Sequence, residues 1–159
     1  MKFLFLFAFL SLSSASGLSF NRPDIDTVSI LGLVPGLNGM MVSSLVSCKL
    51  DTLLWDDNNG IGIAKFAGSY LGSKGEFRIA YDKGFVSQVS FVAPTHNEDE
   101  TQKIYRQLSA ELREGYGPAD VETTNAIHEM RWEGLKQSIS VKAVDGTQYV
   151  TVALSKFGM

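Results

Sequence analysis

The sequence predicts an α+β fold, an antiparallel β-sheet with helices packed on one face. Two observations carry this. Short runs of alternating apolar residues recur around tight-turn signals such as Asp82-Lys83-Gly84 and Asp145-Gly146, the mark of hairpins, whose strands pair antiparallel. One long segment instead repeats its apolar residues at three- and four-residue spacing. It stands between two groups of strands, in place of the regular βαβα alternation of a parallel sheet.

In chain order, residues 18–26 form a polar lead containing Pro23 and are expected to be loosely held. Residues 27–34 are β-branched and apolar, which predicts a strand, and Pro35-Gly36 and Asn38-Gly39 punctuate it. Residues 40–50 predict a short helix, with Met41, Val42, Leu45 and Val46 gathered on one side. Asp56-Asp57-Asn58-Asn59-Gly60 is the strongest loop signal in the chain. Two β runs, 61–66 and 69–71, follow, then a hairpin over 76–92 in which Phe77, Ile79 and Tyr81 alternate before the turn and Val89 and Phe91 after it.

A helix over 97–114 is the most strongly specified element. Thr95 with Glu98, and Asn97 with Glu100, both have capping-box spacing, and acidic residues crowd the first turn, where they complement the helix dipole. Ile104, Tyr105, Leu108 and Leu112 line one face, and Gly115-Tyr116-Gly117-Pro118 stops the helix. The last third returns to β structure. Met130 and Trp132 alternate in one strand, and Ile139, Val141 and Ala143 in a second; a third over 149–154 closes a hairpin through Asp145-Gly146. Helix and strands followed by helix and strands is also the order of a degenerate duplication of an α-then-β-meander unit, although no residue-level repeat accompanies it.

The N-terminus reads as an export signal. Lys2 supplies a positive charge, residues 3–12 are an apolar run of about ten residues, and Ser14, Ala15, Ser16 and Gly17 offer the small side chains a signal peptidase needs. The run is too short for a membrane span, which takes about 20 apolar residues. The expected organisation is a secretory signal peptide at 1–17 and a single α+β domain at 18–159. The single cysteine, Cys48, lies far from the processing site, so a lipidated N-terminal cysteine is not expected, nor is a stable membrane anchor. One cysteine also forms no intramolecular disulfide. A small exported domain without disulfides points to a periplasmic or secreted bacterial protein. The formal net charge is −3 and the basic residues are scattered, which argues against nucleic acid as a partner.

The motifs that suggest chemistry do not hold. In the loop ending at Gly60, an EF-hand would need a ligand where Trp55 stands and a glutamate where Phe66 stands. The glycine-rich stretch 68–75 places Ser73 between Gly72 and Lys74, which breaks the phosphate-loop order, and it leads into a strand. Cys48 with His96 or His128 would make a thiol–imidazole pair only if folding brought them together; the apolar neighbours Leu45 and Val46 predict a buried, inert thiol. His128-Glu129 lacks a second histidine four residues on. No catalytic, cofactor-binding or metal-ligating residue is therefore assigned, and no cofactor is expected. Among the aromatic residues, Trp132 is expected in the core. Trp55 and Tyr70 are the candidate contacts for a partner, although the core competes for Trp55 as well.

Gly32-Leu33-Val34-Pro35-Gly36, followed by Val42 and Leu45, resembles the opening of small bacterial envelope proteins, in which a glycine turn leads into a helix with spaced aliphatics and then a β-meander. The outer-membrane assembly lipoproteins and the two-unit β-lactamase-inhibitor proteins are similar in this way, over about residues 32–92 and more loosely beyond. The lipid-bearing cysteine of the assembly lipoproteins has no counterpart here. The resemblance implies binding of a protein partner by a sheet face, without chemistry. The expected function is thus an exported, non-enzymatic protein-binding domain, an inhibitor or an envelope assembly factor. The alternative is a small secreted hydrolase using carboxylates that do not stand out in the sequence.

Overall fold

The computed structural model describes residues 22–42, the backbone of residues 52–56, and residues 60–156. One antiparallel sheet contains β1 (Thr52–Asp56), β2 (Ile61–Tyr70), β3 (Ser73–Asp82), β4 (Phe85–Pro94), β5 (Val121–Thr124), β6 (Ile127–Glu133), β7 (Gln137–Val144) and β8 (Tyr149–Lys156). Their spatial order is β1-β2-β3-β4-β8-β7-β6-β5, so two four-strand meanders meet at their last strands, β4 and β8. Among the described residues a single long helix, α1 (Glu98–Tyr116), connects the meanders and lies on β7 and β8. The α+β class read from the sequence is the class observed.

The period-two pattern decides which side of the sheet is core. Phe77 and Ile79 of β3, Val89 and Phe91 of β4, Val152 and Leu154 of β8, and Ile139 and Val141 of β7 are all buried, together with Tyr105, Leu108 and Leu112 of α1. Trp132 is fully buried on β6 as expected, and its indole Nε1 donates to the carbonyl of Gly117 at 2.8 Å, so the ring's polar edge is satisfied.

The helix is capped by the second of its two predicted boxes. Asn97 Oδ1 accepts from the Glu100 backbone N–H at 2.8 Å, and the Glu100 carboxylate accepts from the His96 N–H at 2.7 Å. Thr95 takes another role: its hydroxyl meets that of Thr101 at 2.6 Å inside the core.

Several local expectations are corrected. Residues 27–34 do not form a strand. A 3-10 turn (Ile25–Thr27) is followed by a tight reversal in which Ile30 and Leu33 exchange backbone hydrogen bonds, with Leu31 at φ 56° and Gly32 at φ 76°. Leu71-Gly72 and Lys83-Gly84 show the same pair of positive φ angles, the form that suits strand twist in two-residue hairpins. The runs 61–66 and 69–71 are one continuous strand, β2, and the predicted hairpin begins three residues early, at Ser73. The edge strands β1 and β5 were not anticipated. Of the helix predicted over 40–50, a 3-10 turn (Gly39–Met41) is seen; residues 43–50, Cys48 among them, lie outside the described residues.

The lead expected to be loosely held is pinned from Arg22 onward. Arg22 makes two hydrogen bonds with the carboxylate of Asp120, at 2.8 and 2.6 Å. Asp26 accepts from the backbone N–H groups of Leu135, Lys136 and Gln137, and the Gln137 amide donates to the carbonyls of Ile25 and Val28. Farther on, Gly36 and Leu37 bond the backbone of Val86, and Gly39 bonds Gly84. Residues 22–42 thus form a strap from the β6–β7 turn to the β3–β4 turn. It places Ile25, Val28, Ile30, Leu33 and Val42 in the core. The strap and α1 cover the same face of the sheet, and among the described residues nothing covers the opposite face.

Candidate protein-docking face

Cross-strand register identifies the residues of the open face. Its middle row reads Lys65, Arg78, Ser90, Ala153, Ser140, Arg131 from β2 to β6. The row on one side is Ala67, Glu76, Val92, Thr151, Lys142, Glu129, and on the other Ile63, Ala80, Gln88, Ser155, Ser138, Glu133. The pattern across the sheet is consistent. Long charged side chains stand on β2, β3, β6 and, at Lys142, β7, and mostly small side chains line β4 and β8 at the centre.

This arrangement makes a trough. Ser90, Val92 and Ala153 are buried although they lie opposite the core, because taller neighbours shade them. A depression of about 390 Å³ opens on this face between Ile63, Arg78, Ser90, Val92, Tyr149 and Thr151. Ile63 and Tyr149 are exposed at its margin. Seven strand spacings of ~4.8 Å and strands of ~25 Å give the face roughly 800 Å², about one partner's share of a standard protein interface.

Two guanidiniums on the face are paired with carboxylates of the same face. Arg131 lies 2.9 Å from the carboxylate of Glu133 and 3.7 Å from that of Glu129, its alternate neighbours on β6. Arg78 pairs with Glu76 at 2.6 Å. Both guanidiniums therefore present planar donors whose position is set by same-face carboxylates, a preorganised polar rim around a small-residue floor.

Of the two contacts named from the sequence, the structure describes the side chain of one, Tyr70. Trp55 has its backbone opposite Gly62 on β1, and its side chain is outside the described residues. Tyr70 is on the core side. Its ring packs against Phe77 and Phe91, at centroid distances of 6.3 and 5.7 Å, and burial, aided by Tyr116, pushes its phenol pKa up to about 12. Tyr149 and Ile63, exposed on the open face, were not singled out in the sequence. The signal was present as period-two alternation, but its phase fixes a face only once the pairing of strands is known.

Of the two histidines, one has its side chain engaged in structure. His128 lies between the ring of Tyr105 and the carboxylate of Asp145, 3.1 Å from the latter. His96 is exposed at the start of the helix. The carboxylates of Asp26 and Asp120 are held below the usual range, the first by the Lys136 N–H above all, the second by Arg22. Among the described residues, no group of three His, Cys, Asp or Glu side chains is placed to hold a metal ion, and no helix is long and apolar enough to cross a membrane. Comparison with protein-family models, with curated proteins and with solved structures finds no match.

Proposed function

We propose that this chain is an exported, non-enzymatic protein-binding domain, acting in the periplasm or outside the cell as an inhibitor or an assembly factor, and that the open face of its sheet is the docking surface. The observation that carries the reading is the asymmetry of the sheet. Among the described residues one face is covered by α1 and the strap, while the other is a broad trough with paired charges on its rim and exposed Ile63 and Tyr149. A face of this size and composition resembles half of a protein interface more than an enzyme cleft. The export signal at 1–17 supplies the location. The mirrored order of the two meanders is what a duplicated α-then-β-meander unit would give, and it accords with the resemblance to two-unit inhibitor proteins.

The hydrolase alternative has less support. Among the described residues, the two carboxylates with clearly lowered pKa, Asp26 and Asp120, spend their lone pairs on backbone N–H groups and Arg22. Affinity capture from an envelope extract tests the proposal, with Ser140→Trp blocking the trough and Glu111→Trp as a helix-side control. Partners retained by the control and lost by Ser140→Trp support docking on the face. Equal recovery by both variants overturns it.

A further inference from the structure

Charge is balanced unevenly across the open face. Arg131 on β6 has a carboxylate on either side, Glu133 at 2.9 Å and Glu129 at 3.7 Å. Arg78 on β3 has one, that of Glu76, which accepts from its Nε at 2.6 Å. Among the described residues the two terminal nitrogens of Arg78 have no acceptor, and Lys65 has no ion pair. Lys65 and Arg78 are direct cross-strand partners on β2 and β3. Like charges set opposite one another destabilise a sheet, and an anion placed between them would relieve that cost. With Nε occupied by Glu76, the Nη1–Nη2 edge of Arg78 is the fork that suits a bidentate carboxylate.

The same residue forms part of the wall of the depression of about 390 Å³. Polar side chains beside it are already engaged: Gln88 Nε2 donates to Ser155 Oγ at 2.8 Å, and Ser90 Oγ donates to the Arg78 carbonyl at 3.4 Å. What remains for an occupant is the apolar surface of Ile63, Val92 and the Tyr149 ring. We infer that the face docks a partner-protein segment in which a bulky apolar side chain, seated in the depression, adjoins an aspartate or glutamate whose carboxylate bridges Arg78 and Lys65. The inference rests on the reading of this face as a docking surface and names the chemistry that the surface selects.

End-blocked Gly-Trp-Asp-Gly, Gly-Trp-Asn-Gly and Gly-Ala-Asp-Gly peptides are suitable probes. Each would be titrated into the exported protein while the Ile63 δ-methyl and Arg78 Nε–H resonances are followed by NMR. The Trp-Asp peptide is expected to shift both saturably and to bind roughly 3- to 10-fold more tightly than either of the others, with the preference for Asp over Asn fading as salt is raised. Arg78→Gln or Lys65→Gln should reduce that preference, whereas Lys142→Gln, a cation on the other side of the trough, should keep it. Lys65→Gln should not lower the urea midpoint, because it removes one of two facing cations. No saturable shift with the Trp-Asp peptide, equal binding of the Asp and Asn peptides, or a preference untouched by Arg78→Gln and Lys65→Gln overturns the inference. Its failure is distinct from that of the docking reading: partners lost by Ser140→Trp but kept by the Lys65→Gln, Arg78→Gln double variant overturn the carboxylate anchor alone, and partners kept by Ser140→Trp overturn the docking face.

Discussion

Gly68 and Gly75 face each other across β2 and β3, and a phenylalanine ring occupies the space over each: Phe77 over Gly68 and Phe91 over Gly75. The pair lets the rings of Phe77 and Phe91 approach to 5.0 Å between centroids and lets Phe66 stack on Phe77 at 5.1 Å.

A methyl group at Gly75 would overlap the Val92 carbonyl and the Phe91 ring, so neither a rotamer change nor a small shift accommodates it. Gly75→Ala should destabilise the domain by roughly 2 kcal/mol or more, as overpacking of a filled core does. Gly115, near the end of α1, meets nothing within 4 Å, and Gly115→Ala should be neutral or stabilising by up to about 1 kcal/mol. Urea midpoints of the two variants check this.

The Asp26 carboxylate, which holds the strap to the β6–β7 turn, predicts an acid-dependent stability. Its folded pKa is lowered below 3.8, chiefly by the Lys136 N–H, so its contribution is present above the unfolded value and lost as pH falls through the folded one. Asp26→Asn should therefore be less stable than the parent at pH 7, with the difference narrowing as pH falls below 3.8. Denaturant unfolding at a series of pH values tests it; a constant difference down to pH 2 would contradict it.

Lys83 adopts φ 51° before Gly84 at φ 79°, a conformation asparagine tolerates better than lysine. Lys83→Asn should stabilise the β3–β4 hairpin by about 0.5–1 kcal/mol, visible as a raised Tm. A lowered Tm would show that the Lys83 side chain contributes something its backbone angle does not reveal.

Leu108 is fully buried under α1, and Leu108→Ala should cost about 2–5 kcal/mol. The helical period sets Gln107 away from the Leu108 face, where a solvated side chain is expected. Its amide instead donates to the Leu71 carbonyl at 3.1 Å, tying α1 to the β2–β3 turn. Because that contact is exposed, Gln107→Ala should cost only about 0.5 kcal/mol. Equal urea midpoints for the two variants would contradict the packing of α1.

What was legible in the sequence follows from how local each signal is. The helix was readable because Asn97, Glu100 and the spacing of Tyr105, Leu108 and Leu112 all act within a few turns of chain. The hairpins around Lys83-Gly84 and Gly146 were readable for the same reason. The strap was not, because what orders it is remote: Asp26 finds its partners 109 to 111 residues away. The apolar run 27–34 reads as a strand by composition, yet Leu31-Gly32 turns it back on itself and buries Ile30 and Leu33 without a sheet. The open face was illegible for a further reason. Ser90, Ser140 and Ala153 look unremarkable singly and form a floor only when β4, β8 and β7 are set side by side.

Site-specific photo-crosslinking in the producing cell tests the docking face most directly. A photoreactive residue would be placed at Ala80, Ser140 or Thr151 on the open face, and at Gln102, Lys103 or Glu111 on the solvent side of α1. Discrete adducts of defined mass are expected from the open-face positions and not from the helix positions. Adducts formed only through α1, or none from the open face, would contradict the account.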